Sequence, residues 1–151
     1  MLKISMYEER DFPGLCTIFL RSVKETTSTD YYPRQIAAWA QVDENCWRQK
    51  IAASRVLVAI NDAPPVGFIT VVDDDIDLLF VFPDHSRQGV ASALLNTLLR
   101  QFPERVYTVA ASMTAKPFFA RHGFRVIKPQ ETEARGERFL NYRMRRQIGL
   151  Q

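Results

Sequence analysis

The stretch that decides the fold is IDLLFVFPDHSRQGVASALL, running from Ile76 to Leu95. From Ile76 to Phe82 it is apolar except for Asp77. Pro83, which has no N–H to give to a ladder, stops the strand. A polar loop follows, and Gly89 then begins a helix in which Val90, Leu94, Leu95 and Leu98 recur at helical spacing. Pro103 lies just beyond the end of that helix, and Val106 to Ala111 reads as the next strand. A strand, helix, strand passage predicts a parallel pair near the middle of a sheet.

Upstream, Leu2, Ile4 and Met6 alternate with polar residues as a first strand. Asp11 as N-cap and Pro13 in the first turn predict a helix through Val23, with Leu15, Ile18, Phe19 and Val23 on its inner face. Pro33 opens a short helix carrying Ile36, Ala37 and Trp39, and Asp43 caps another through Ala53. Val56 to Ile60 and Val66 to Val72 are strands around the turn Asn61 to Pro65. The run Asp73-Asp74-Asp75 reads as a solvated turn. Downstream, Lys116 to His122 is a short helix stopped by Gly123, and Phe124 to Ile127 and Phe139 to Met144 are the last strands. No repeat, low-complexity tract or linker divides the chain, so residues 1–151 are expected to form one domain of the α/β (α+β) class.

Composition narrows the function classes. Hydrophobic residues make up 46% and charged residues 25%, ordinary values for a soluble domain of 151 residues. Cys16 and Cys46 have no CxxC partner and read as reduced thiols, Cys16 as a buried helix residue. With His85 and His122 the only histidines, a metal site is not expected. The N-terminus resembles no targeting peptide and the longest apolar run is too short to span a membrane, so a cytoplasmic protein is expected. A net charge of +3 and a pI near 9.0 do not by themselves imply nucleic acid. They suit a polyanionic small ligand equally well.

A strand, a polar loop and a glycine opening a helix supply what a phosphate needs: close backbone approach, unpaired N–H groups and the positive end of the helix dipole. A purely structural turn between a strand and a helix can carry the same glycine. Here the sequence resembles the GNAT superfamily of N-acetyltransferases. That family's strand ends in V-x-P and its loop reads Q/R-x-x-G-x-G/A, matched by Val81-Phe82-Pro83 and by Ser86-Arg87-Gln88-Gly89-Val90-Ala91. Ser86 departs from the usual Gln or Arg. A second family motif, Y-x-x-x-G-F, is matched by Phe119 to Phe124, with Phe119 in the place of the tyrosine. RFLNYRM looks like the closing strand of one bacterial branch, in which YYPRQIAAWA also has a counterpart.

The resemblance implies a mixed, partly splayed central sheet of about seven strands flanked by helices, with acetyl-CoA held in the gap and no metal. It assigns the cofactor to Leu79, Phe80 and Val81 and to Arg87, Gln88, Gly89, Val90, Ala91 and Ser92, largely through backbone. The amide of Leu79 would face the thioester oxygen. Asp77 is the candidate base for the acceptor amine, because strand alternation puts it on one face with Leu79 and Val81. Its bland reading is a residue that pairs at the strand entrance. Phe119 cannot protonate a leaving thiolate, so Tyr142, Tyr31, Tyr32 and Ser112 are alternative donors, Tyr142 first. Tyr31 and Tyr32 are expected at the acceptor pocket, and Trp39 and Trp47 in the core. Arg143, Arg145 and Arg146 read as charge blunting an edge strand, and His85 as facing solvent. The expected activity is transfer from acetyl-CoA to a primary amine of a small molecule or peptide, without a covalent enzyme intermediate. No nucleic-acid or membrane partner is expected, and a monomer or homodimer is expected. The rival reading is a non-catalytic acetyl-CoA-binding sensor.

Overall fold

A computed structural model describes residues 2–62, 64–86 and 88–146. The strands are β1 (Leu2–Met6), β2 (Arg55–Asn61), β3 (Pro65–Val72), β4 (Asp75–Val81), β5 (Thr108–Ser112), β6 (Phe124–Ala134) and β7 (Glu137–Arg146). The α-helices are α1 (Phe12–Thr26), α2 (Pro33–Trp39), α3 (Glu44–Ala52), α4 (Val90–Gln101) and α5 (Lys116–Arg121). The seven strands form one sheet in the order β1-β2-β3-β4-β5-β7-β6. Every neighbouring pair is antiparallel except β4 and β5, which are parallel as the strand, helix, strand passage predicts.

Each face of the sheet buries its own core. On one face α1 and α3 pack Phe12, Leu15, Ile18, Trp47 and Ile51 against Val58 and Phe68. On the other, α4 packs Val90, Leu94, Leu95 and Leu98 against Val66, Ile69, Val71 and Ile76. Gly67 permits the close approach of α4 to β3. A Cβ there would lie 2.9 Å from Val90 Cγ1 and 3.2 Å from the Phe80 carbonyl oxygen.

Several boundaries differ from expectation for local physical reasons. Asp11 does precede α1, but its carboxylate turns back to accept from the Glu8 N–H at 2.9 Å, and α1 continues past Val23 to Thr26. Asp43 caps α3 as expected, accepting from Cys46 N–H at 3.1 Å. The last hairpin is much longer than Phe124–Ile127 and Phe139–Met144. Ala134 pairs with Glu137 across Arg135 and Gly136, both at positive φ (49° and 82°), the geometry of a two-residue hairpin turn. Its outer stretch is exposed and polar, so it has no apolar alternation to reveal it. β7 lies between β5 and β6, so its arginines are not on an edge strand.

The departure with most consequence is a bulge. Thr70 pairs with Leu78 and Val71 with Ile76, which leaves Asp77 as an extra residue in β4. The Leu78 N–H at the bulge donates instead to Thr70 Oγ1 at 3.1 Å, and Thr70 is fully buried. Replacing Thr70 by Val keeps the shape and strands that N–H. The expected cost is about 1–3 kcal/mol, read as a lower urea midpoint with an unchanged denaturation slope.

Candidate active site

The parallel contact between β4 and β5 consists of two residue pairs, Asp75 with Thr108 and Ile76 with Val109. Beyond Ile76 the strands part. Phe82 N–H donates to Val66 O at 2.7 Å, so by antiparallel alternation Phe80 also turns its N–H toward β3. Leu79 and Val81 therefore turn theirs into the split. The Val81 carbonyl already accepts from Ser22 Oγ of α1 at 2.6 Å, a buried contact that sequence reasoning did not find.

The apex of the split is clamped. Asp75 Oδ1 accepts from Thr108 Oγ1 at 2.6 Å and from Arg143 Nη1 at 2.7 Å, while Arg105 pairs with Asp74 at 3.3 Å. Of the three aspartates expected as a solvated turn, two thus fasten the point where the strands separate. Arg143, expected as surface charge, is part of that fastening.

At the mouth of the split, Gly89 is the N-cap of α4 at φ 79°, a left-handed conformation that favours glycine. The Ala93 N–H donates to Gly89 O at 2.9 Å, so the N–H groups of Val90, Ala91 and Ser92 precede the first helical bond. Their donors and the helix dipole make an anion cradle that needs no side chain. Gln88 is held by His85, whose Nδ1 lies 3.2 Å from Gln88 Oε1. Arg21 reaches the same loop, 3.5 Å from Asp84 and 4.5 Å above the Phe82 ring. Arg87 lies outside the described residues.

The bulge corrects the expectation for Asp77. Strict alternation would place it with Leu79 and Val81, which pack toward α4. The extra residue turns it to the other face with Leu78, where its carboxylate meets Lys50 Nζ of α3 at 3.2 Å.

The two tyrosines expected at the acceptor pocket diverge. Tyr31 is 5% exposed and packs with Trp39 and Phe139. Its hydroxyl donates to Leu140 O at 2.9 Å and accepts from Met113 N–H at 3.0 Å, so it is a latch rather than an open pocket wall. Tyr32 is 63% exposed at the start of α2, under the Arg34 guanidinium. Trp47 is buried as expected, whereas Trp39 is half-buried. Ser112 Oγ accepts from Ala115 N–H at 3.1 Å in the turn that leads into α5. Phe119 is 2% exposed and wedged against Phe118 and Phe124. Tyr142 is half-buried on the α4 face, and its hydroxyl has no protein partner among the described residues. Cys16 is half-buried and Cys46 exposed, both as free thiols.

A groove of about 590 Å³ between Met6, Tyr7, Arg55 and Phe102 lies at the far end of α4 and contains none of the motif residues. Among the described residues no cluster of His, Cys, Asp and Glu is arranged for a metal ion, and no helix is long and apolar enough to cross a membrane.

A mixed sheet that opens between two parallel strands, beside a glycine-capped helix start, is the frame of an acetyltransferase that draws on acetyl-CoA. The chain belongs to the GNAT acetyltransferases: the model of the acetyltransferase (GNAT) domain matches residues 27–146. It is 51% identical over 144 residues to YafP, an uncharacterised N-acetyltransferase of Escherichia coli (strain K12), covering 95% of each chain. A GCN5-related N-acetyltransferase from Rhodopseudomonas palustris superposes with a TM-score of 0.92 at 29% identity, covering 97% of this chain and 95% of that one. The PaiA N-acetyltransferase of Thermoplasma acidophilum, solved with coenzyme A, shares the fold at a TM-score of 0.75 and 16% identity, covering 98% and 99%.

Burial raises the Tyr31 phenol above its ordinary value of 10.0, opposed by its bond from Met113 N–H. The folded state therefore keeps this proton when the unfolded chain releases it. Stability is unaffected below that ordinary value and falls as pH climbs from it toward the raised one. Thermal midpoints measured across that alkaline range should fall in the native protein and fall less in Tyr31→Phe.

Proposed function

We propose that this chain, acting as one domain over residues 1–151, moves an acetyl group from acetyl-CoA directly to a primary amine. The observation that carries this reading is the two-pair contact of β4 and β5, opening onto the left-handed Gly89 at the start of α4. Val90, Ala91 and Ser92 N–H groups receive the pyrophosphate, with Gln88 beside them. Leu79, Phe80 and Val81 form the strand wall along the pantetheine arm, with Val81 N–H pairing to it as a neighbouring strand would. Acetyl-CoA supplies the activated acyl group. Leu79 N–H, aimed into the split, stabilises the negative charge that develops on the carbonyl oxygen.

The two faces of the sheet divide the work. The α4 face takes the donor, and the α1 and α3 face takes the acceptor. Asp77, turned to the second face by the bulge, removes the proton from the incoming ammonium directly or through water. Its pair with Lys50 keeps the carboxylate oriented. Tyr142, whose hydroxyl is uncommitted, offers a proton to the leaving sulfur. Exposed Tyr32 lies beside the acceptor approach, while Tyr31 shapes it from behind.

The buried Phe119 in the usual tyrosine position favours a second reading, an acetyl-CoA sensor that does no chemistry. Two measurements separate these. Calorimetric titration should show acetyl-CoA binding that Gly89→Glu abolishes, because the substitution brings a carboxylate to the anion cradle and strains a positive φ. A screen of amines by thiol release should then show turnover that falls about 10²–10⁴-fold in Asp77→Asn and also falls in Tyr142→Phe. Binding without turnover of any amine favours the sensor, and no binding sinks both.

A further inference from the structure

Beside β5, the second strand of the split, a cation stands over Tyr142 of β7. Of the five lysines, Lys116 is the one that is not exposed. It begins α5, and its ammonium sits 4.1 Å from the centre of the Tyr142 ring. Among the described residues it has no carboxylate partner, and its stem is covered while its ammonium lies on the Tyr142 ring. Other charges nearby are directed elsewhere. Arg121 is exposed, His122 Nδ1 is bonded to Phe118 O at 2.9 Å, and Arg143 is on the opposite face of β7 with Asp75. The Tyr31 hydroxyl, the other titratable group near Tyr142, is held by Leu140 and Met113.

The register sets Lys116 at the height of the chemistry. Val109 pairs with Ile76 at the apex, and Ala111, two residues further on, pairs with Tyr142. On β4, two ladder steps beyond Ile76, allowing for the bulged Asp77, lead to Leu79. By this count Leu79 and Ala111 stand at the same height on the two strands, with Tyr142 beside Ala111 on β7 and Lys116 over its ring. On the acetyl-CoA reading, Leu79 N–H meets the carbonyl oxygen and the sulfur lies toward β5 and Tyr142. Lys116 is also one helical turn before Phe119, on the same side of α5.

We propose that Lys116 is a catalytic residue that holds the sulfur of CoA as its charge develops. As the acceptor nitrogen bonds to the acetyl carbon, the C–S bond breaks and its electron pair stays on sulfur. The ammonium of Lys116 neutralises that charge through a charge-assisted hydrogen bond. The nitrogen gives up its proton on the Asp77 side, and sulfur acquires one from Tyr142 or solvent as CoA leaves. This inference rests on the acetyl-CoA reading of the split and explains how the site works with phenylalanine at position 119.

The test compares CoA with desulfo-CoA by calorimetry over an alkaline pH series, in which the CoA thiol, more basic than a cysteine side chain at about 8.5, becomes ionised. Native protein should bind CoA about tenfold more tightly than desulfo-CoA. Lys116→Met, which keeps the apolar stem, should erase that difference while leaving desulfo-CoA affinity unchanged, and Lys116→Arg should restore most of it. Desulfo-CoA binding also reports that the variant is folded. An undiminished preference in Lys116→Met, or equal weakening of both ligands, would overturn the proposal. If neither ligand binds the native protein, the acetyl-CoA reading itself fails, a different result from either of those.

Discussion

The short parallel contact between β4 and β5 is the constraint on which the rest depends. In a continuous sheet, Leu79 and Val81 would spend their N–H groups on β5. Because pairing stops at Ile76 and Val109, those donors are left for a ligand that can act as a missing strand. An opening of this kind must be prevented from running the length of the sheet. Thr108 and Arg143 do so by converging on Asp75, while Arg105 holds Asp74 from the side. The clamp joins β4, β5 and β7, so the split starts at a defined height.

Parting two central strands leaves polar groups to be satisfied, and buried orphans are costly. Neighbours repair the damage without closing the gap. Thr70 takes the Leu78 N–H freed by the bulge, and Ser22 donates to the Val81 carbonyl. Gly67 lets α4 lie close enough for its start to face the mouth. The bulge itself sends Leu79 and Asp77 to different faces of the sheet.

The segment around α2 meets the last hairpin through a set of contacts distant in sequence. Tyr31 donates to Leu140 O, Gln35 Nε2 to Arg138 O at 2.7 Å, and Arg135 Nη1 to Ala38 O at 2.9 Å, with Arg34 and Glu137 paired beside them. The segment around α2 is thereby fastened to the long β6–β7 hairpin. Tyr31 and Trp39 cover Phe139, while Tyr32 stays exposed.

Local signals carried much of this protein. The apolar run ending at Pro83, the glycine before a periodic helix and the Asp43 cap set backbone conformation within a few residues, so they could be read directly. The left-handed start of α4 at Gly89 was legible because backbone N–H groups build it and require only a suitable φ. What could not be read depends on register. A single extra residue at Asp77 reverses its face, and alternation cannot reveal that without β3 alongside. The polar outer hairpin has exposed side chains, so burial leaves no pattern in it. The burial of Tyr31, the clamp at Asp75 and the placement of Lys116 over Tyr142 arise from pairings between distant segments. Sequence determined which stretches would be strands and helices, because backbone geometry and one-sided burial are local. Tertiary structure alone decided which face each side chain took and what it met, because those follow from how the strands align.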